Sequence, residues 1–357
     1  MEEVVLAAPR GYCAGVEMAI KALVWMLRVF QPPVYCYHEI VHNRAVVAAF
    51  EDAGVVFVDD VDDVPEGAPL MLSAHGSAPS VATAAKDRSR VVIDAVCPLV
   101  TKVHHEVKVR ARKGFEIIYV GHEGHDEAVG TMAVAPDAMH LVESVDDVAG
   151  LELADARHGV ALLAQTTLSH FDWQDVLDSA RERFPDVWLP GCDDLCYATT
   201  NRQRAVKAIA AEVDLMVVVG SANSSNTRAL VKVAHDAGCP RAVRIDSPDE
   251  VDADLLGSAR RVGVTAGASA PEDLVQAVID RIAPRDGVRI VDVTTEDEYF
   301  PPPRELREIV RVLDSVVALV CGGDPARAVA IGGPFTDDRI QTATVALGAV
   351  SLGTVSA

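Results

Sequence analysis

Three cysteines stand in the same local setting. Cys13 closes "VVLAAPRGYC", Cys97 closes "VVIDAVC" and Cys196 closes "VWLPGCDDLC", spaced 84 and 99 residues apart. Each follows a short β-branched run and opens a stretch with helical periodicity. A helix start favours thiolate through its dipole and free N–H groups. Three such starts arranged about an axis would converge on one point and form a metal or cluster site. With no fourth equivalent cysteine, two chemistries are open: zinc with one free position, or an iron–sulfur cluster with one unanchored iron. Spacing alone does not separate them. The string "CDDLC" also offers Cys192 as a substitute for Cys196, which is preferred because it opens the helix directly. Cys36, Cys239 and Cys321 read as small buried hydrophobes.

A second set of residues keeps step with the cysteines. His42, His125 and Asn226 follow Cys13, Cys97 and Cys196 by 29, 28 and 30 residues, each in a polar tip after a strand-like run. A later tip in each unit carries His75, Thr166 or Ser269. If the cysteines face an axis, these tips face it too. Imidazole N–H groups, the hydroxyls of Ser224, Ser225 and Ser269, and helix-start N–H groups are donors that suit a phosphate. Glu127 lies two residues after His125 in the same tip, where a carboxylic acid could pass a proton to a bound anion's reacting end.

The elements that must position these groups repeat three times. Helices over "AGVEMAIKALVWMLRVF", "PLVTKVHHEVKVRARKG" and "YATTNRQRAVKAIAAEV" lead into strands "PVYCY", "EIIYVG" and "LMVVVG". A helix and strand follow, then an acidic linker, a third strand ("LMLSAHGS", "VALLAQTTLS", "RVGVTAGAS") and a closing helix. This alternation predicts an α/β fold of three pseudo-symmetric units with mainly parallel sheets about a central site. Ligands of such sheets bind beyond the strands' carboxyl ends. The expected units are 14–96, 97–195 and 196–312, the last joined by the N-terminal strand 1–13. Residues 313–357 read as a flexible or docked appendage, whose last 18 residues carry no charged side chain, are rich in Ala, Thr, Ser and Gly and are poorly suited to span a membrane.

Composition narrows the rest. The 357 residues carry a formal charge of −21, which disfavours nucleic-acid or anionic-membrane surfaces and requires a locally positive pocket for an anionic substrate. Neither a Walker loop nor a GxGxxG after the first strand is present, which disfavours standard ATP or NAD loops. The start "MEEVVLAAPR" lacks the pattern of a signal peptide, so a cytoplasmic setting is expected.

The motifs "PRGYCAGV", "HEIVHNR", "SAHG", "CPLVTKVH", "GHEGH", "QTTLS", "DDLCYATTNRQ", "VVGSANSSN" and "GVTAGASAP" fall in order between about residues 4 and 310. Together they resemble the 4-hydroxy-3-methylbut-2-enyl diphosphate reductase family, the LytB (IspH) type. The tail after about Leu313 has no counterpart in that resemblance. The resemblance implies a fold of three α/β units around a central iron–sulfur cluster. It implies reductive removal of a hydroxyl from an allylic diphosphate at a [4Fe-4S] cluster on Cys13, Cys97 and Cys196. It assigns the diphosphate to His42, His75, His125, Ser224, Ser225, Asn226 and Ser269, proton delivery to Glu127, and contact near the substrate hydroxyl to Thr166. Reduced ferredoxin or flavodoxin is the implied electron donor. A zinc-dependent phosphate-ester hydrolase and a non-catalytic iron–sulfur sensor are the alternative readings.

Overall fold

The computed structural model describes residues 1–153, 156–191, 194–320 and 342–351. The chain opens with β1 (Glu3–Ala8) and α1 (Ala14–Val29). It continues through β2 (Val34–Tyr37), α2 (Arg44–Asp52), β3 (Val55–Val58), β4 (Leu70–Leu72), α3 (Pro79–Arg88) and β5 (Val92–Asp94). Next come α4 (Pro98–Arg112), β6 (Glu116–Val120), α5 (Asp126–Met132), β7 (Met139–Val142), α6 (Val145–Gly150), β8 (Val160–Ala164) and α7 (His170–Arg183). The remainder is α8 (Tyr197–Ala210), β9 (Leu215–Val219), α9 (Ser225–Asp236), β10 (Ala242–Ile245), α10 (Ala253–Leu256), β11 (Arg261–Ala266), α11 (Glu272–Ile282), β12 (Val288–Asp292) and α12 (Arg304–Val320). A further helix covers Ala343–Ser351.

These strands form three parallel sheets, ordered β3-β2-β4-β5, β7-β6-β8 and β10-β9-β11-β1-β12. The registers include Tyr35 opposite Leu70, Ile118 opposite Leu162 and Val5 opposite Gly263. Every residue of β6, β8 and β9 is buried, as in parallel sheets covered on both faces. Beside the third strand of each sheet runs the segment that leads into a cysteine. β5 leads to Cys97 and β1 to Cys13; before Cys196, the described residues make a single bridge, Trp188 to Ala161, rather than a full strand.

Each helix that opens after a cysteine leaves its preceding sheet and packs on another. Met18, Ile20 and Leu23 of α1 pack with Val34 and Met71. Val103 and Val107 of α4 pack with Ile117 and Leu163, and Val206 and Ile209 of α8 pack with Val5 and Val218. The cysteines therefore sit where the three lobes meet. At roughly 1.5–3 kcal/mol per fully buried large aliphatic side chain, these helix faces are what hold the lobes together.

Two features depart from the sequence pattern. The acidic linkers are short helices and turns that cap themselves. Ser144 and Asp147 form a reciprocal capping box at α6, and Ser247 and Glu250 form another. The periodicity of α1 suggests one apolar face, yet Ala22, Val24 and Met26 are buried as well. Its other side is covered by Ala343–Ser351, whose Ala343, Ala346 and Leu347 join the same core and whose Ala343 N–H donates to Glu17 at 2.8 Å. Of the appendage, then, residues 313–320 continue α12 and this terminal helix is docked. The stretch between, with Cys321, lies outside the described residues, as does Cys192.

Leu347→Ala is expected to lower unfolding stability by about 2–3 kcal/mol, in the usual range for a buried leucine truncation. Chemical denaturation monitored by circular dichroism checks it, and no change would mean that the terminal helix does not dock on α1.

Candidate active site

The three cysteines are held by equivalent backbone bonds. Cys13 N–H donates to Ala268 C=O at 3.2 Å, Cys97 N–H to Ala74 C=O at 3.0 Å and Cys196 N–H to Thr166 C=O at 3.0 Å. Each acceptor lies in the tip after the third strand of a sheet, β11, β4 or β8. The cysteine carbonyls in turn accept the first helical bonds, from Glu17, Thr101 and Thr200. Each cysteine is thus an N-cap with extended backbone. Only Cys196 uses its sulfur as a cap, accepting from Thr199 N–H at 3.2 Å with the Thr199 hydroxyl at 3.0 Å. A Cβ on Gly15 would meet Cys97 Sγ at 2.8 Å and Cys13 Sγ at 3.8 Å, so two of the sulfurs close in around a position only glycine can fill.

The thiols do not behave as isolated helix-start cysteines. Burial, then the nearby Cys13, holds Cys97 well above the ordinary thiol range despite backbone N–H contacts. Burial and Cys13 push Cys196 up to about 11 although Thr199 and Arg202 favour its thiolate. The expected lowering by the helix starts is therefore outweighed by desolvation and mutual repulsion. This is the environment in which a cation replaces the protons. Thiolate ligands must be deprotonated to bind metal, and the metal charge offsets the burial. The donor set fits zinc or a cluster with a free corner.

At the other end stand three imidazoles. His42 and His75 stack at 3.8 Å with 11° between their planes, and His125 meets them edge-on at 5.1 and 6.1 Å. Burial, then the neighbouring His42 and His125, keeps His75 far below the ordinary imidazole range. Burial, then His42, lowers His125 to about 3. His125 Nδ1 accepts from Glu127 N–H at 3.2 Å, so its neutral ring must carry the proton on Nε2. The Nε2 atoms of all three rings and Ser225 Oγ are buried without a hydrogen-bond partner. Buried polar atoms left open in this way point to a missing anionic partner. Asp126 also places a ligand atom within 4.8 Å of those of His42 and His75. The near-parallel rings direct their nitrogens side by side, which suits two phosphate oxygens better than one metal ion.

Helix α9 adds its first turn. Ser224 caps it, accepting from Thr227 N–H, and Asn226 Oδ1 accepts from Ala268 N–H at 3.1 Å. Ser269 Oγ donates to His42 C=O at 2.9 Å, linking two lobes. Between the two ends lies Glu127, 2 % exposed. It accepts from Thr166 N–H at 2.7 Å and pairs with Thr166 Oγ1 at 2.9 Å. Burial pushes its carboxyl up to about 7 against those two bonds, so it holds a proton near neutrality.

Cys13, Cys97, Cys196, His42, His75, His125, Glu127, Thr166, Ser224, Ser225, Asn226 and Ser269 all line one pocket, with a cavity volume of ≈ 100 Å³. Sequence reading missed Gly15, Tyr197, Thr199 and Phe300, which also line it. Thr199 carries a signal, a hydroxyl three residues after an N-cap; Phe300 comes from a distant irregular segment and carries none.

Three α/β lobes that gather three thiols at one end of a pocket and three imidazoles at the other define a class of protein. This chain belongs to the LytB family, described as LytB protein, whose profile matches residues 4–283. It is 49% identical over 307 residues to a 4-hydroxy-3-methylbut-2-enyl diphosphate reductase of Rhodopirellula baltica, covering 85% of this chain and 96% of that one. A protein of the same name from Mycolicibacterium paratuberculosis is 49% identical over 308 residues, 86% of this chain and 92% of its own. The solved E-1-hydroxy-2-methyl-but-2-enyl-4-diphosphate reductase of Plasmodium falciparum superposes with a TM-score of 0.84 at 34% identity, covering 88% of this chain and 99% of that one.

Gly15→Ala is expected to cut the metal retained by the full chain severalfold, because its Cβ displaces Cys97 Sγ. Elemental analysis after anaerobic purification checks this, and unchanged metal content would show that the sulfurs do not need that approach.

Proposed function

We propose that this protein reduces (E)-4-hydroxy-3-methylbut-2-enyl diphosphate to isopentenyl and dimethylallyl diphosphate, the last step of the non-mevalonate isoprenoid pathway. Two electrons and two protons enter, the allylic C–O bond breaks, the oxygen leaves as water and the carbon skeleton gains one hydrogen. The observation that carries the reading is one pocket with three converging thiols, three open Nε2 atoms and a proton-holding glutamate between them. The zinc hydrolase and the sensor find no support among the reductase names of the relatives.

In this reading Cys13, Cys97 and Cys196 hold a [4Fe-4S] cluster, which when bound supplies electrons and an open Lewis-acidic iron. The chain's own residues do the rest. His42, His75 and His125 donate to the diphosphate through Nε2, with Ser224, Ser225 and Asn226 contributing hydroxyl, amide and helix-start donors and Ser269 turning its hydroxyl proton from His42 C=O to the anion. That grip fixes how far the substrate hydroxyl extends toward the thiols. In the structure Thr166 Oγ1 donates to Glu127 Oε2; with its carboxyl raised to about 7, Glu127 takes up a proton near neutrality and can pass it through the threonine hydroxyl to the substrate oxygen. The Thr166 N–H on Oε1 holds the carboxyl in place throughout. Walls of Val41, Val100 and Ala198 limit water at the reacting end.

Among the described residues no helix is long and apolar enough to cross a membrane. We place the enzyme in the cytoplasm, with reduced ferredoxin or flavodoxin supplying electrons.

Glu127→Gln is expected to keep the visible cluster absorbance while turnover falls about 10²-fold or more, the usual worth of a positioned acid. Near-normal turnover would remove Glu127 from the proton path. In the unaltered enzyme, single-turnover rates should be steady below pH 7 and fall as pH rises through about 7, where Glu127 loses its proton. A rate that climbs through that range would contradict its role as the acid.

A further inference from the structure

Among the described residues, Arg202 is the largest side chain with no exposure at all. It lies on α8, six residues after Cys196, and its guanidinium is fully used. Nε donates to Gly11 C=O at 3.0 Å, and one terminal nitrogen donates to Gly11 C=O at 2.7 Å and Tyr12 C=O at 3.1 Å. The other donates to Ala198 C=O at 3.0 Å and to the Glu296 carboxylate at 3.0 and 3.3 Å. Gly11 and Tyr12 are the turn just before Cys13; Ala198 is two residues after Cys196. One buried fork therefore fixes two of the three cysteine turns relative to each other. A buried cation persists only when paired and hydrogen-bonded, and a lysine point charge could not span these acceptors.

Glu296 belongs to the irregular segment 293–303 between β12 and α12. Asn201 Nδ2 donates to it at 3.1 Å, so α8 grips the segment twice. Four residues on, Phe300 lines the thiol pocket, and Tyr197, whose hydroxyl accepts from Ala14 N–H at 3.0 Å, lines it as well. The same two aromatics also border an outer groove with Tyr12, Glu17 and Glu296. A wall one side chain thick thus separates the thiols from a solvent-facing groove.

We propose that Arg202 and Glu296 form a clamp. Arg202 is a positioning residue for the Cys13 and Cys196 turns, and Glu296 latches the 293–303 segment across them, closing the thiol chamber against solvent. Cys97, on α4, is outside its reach. The protective consequence rests on the cluster reading above; the clamp itself does not.

The test is hydrogen–deuterium exchange on the anaerobically purified full chain, with Glu296→Ala, Glu296→Gln and Arg202→Lys compared with the parent. In Glu296→Ala, peptides spanning 9–14, 196–202 and 293–300 should exchange at least about fivefold faster, a local opening, while the 95–101 peptide around Cys97 stays unchanged. Glu296→Gln, which keeps an acceptor, should fall between, and covers the case in which Glu296→Ala does not fold. Arg202→Lys should open 9–14 as well, because charge without the fork does not restore the hold. Visible absorbance should bleach faster in air in each variant, in the order of their exchange. Unchanged exchange at 9–14 and 196–202, acceleration spread evenly over the chain, or full rescue by Arg202→Lys would each overturn the clamp. A parent protein with no visible absorbance would overturn the cluster reading and leave the exchange pattern to decide the clamp.

Discussion

The structure depends on three backbone hydrogen bonds, one from each cysteine N–H to a carbonyl in the tip of a third strand. They make each cysteine turn a shared part of a sheet end and a helix start. The helix then leaves for a different sheet, so the thiols lie where all lobes meet. Closing three lobes on one point brings the sulfurs near enough that a single Cβ at Gly15 would not fit. It also desolvates the Cys97 and Cys196 sulfurs, which reverses the helix-start preference for thiolate there. A cationic group bound among the sulfurs would offset that desolvation, which would link the fold to the cofactor proposed above.

The opposite end of the pocket follows the complementary rule. His75 and His125 are held neutral by burial, and the cap bond to His125 Nδ1 fixes its proton on Nε2. Neutral donors aimed into a cavity recognise an anion without bringing fixed positive charge into a protein whose net charge is −21. Glu127 lines the same pocket, and burial likewise raises its carboxyl to about 7. Burial is thus the leading cause of the shifts at Cys97, Cys196, His75, His125 and Glu127.

Much of this was legible in the sequence because it is periodic. The repeat of strand, tip and helix placed His42, His125 and Asn226 at matching distances from their cysteines, and parallel sheets gather such tips at one edge. What was not legible has no period. Phe300 reaches the pocket from an irregular segment, and Arg202 reads as one more arginine on a polar helix face until its carbonyl partners are known. The terminal helix looks like a charge-free tail because its partner surface on α1 is visible only after folding. The sign of the thiol shift also escaped, since spacing says nothing of burial.

The central proposal is that the thiols of Cys13, Cys97 and Cys196 hold a cluster with one open iron beside an anion site. Iron and acid-labile sulfide measured per chain after anaerobic purification test it most directly. The account predicts about four of each when fully loaded. One zinc per chain with no acid-labile sulfide would contradict it.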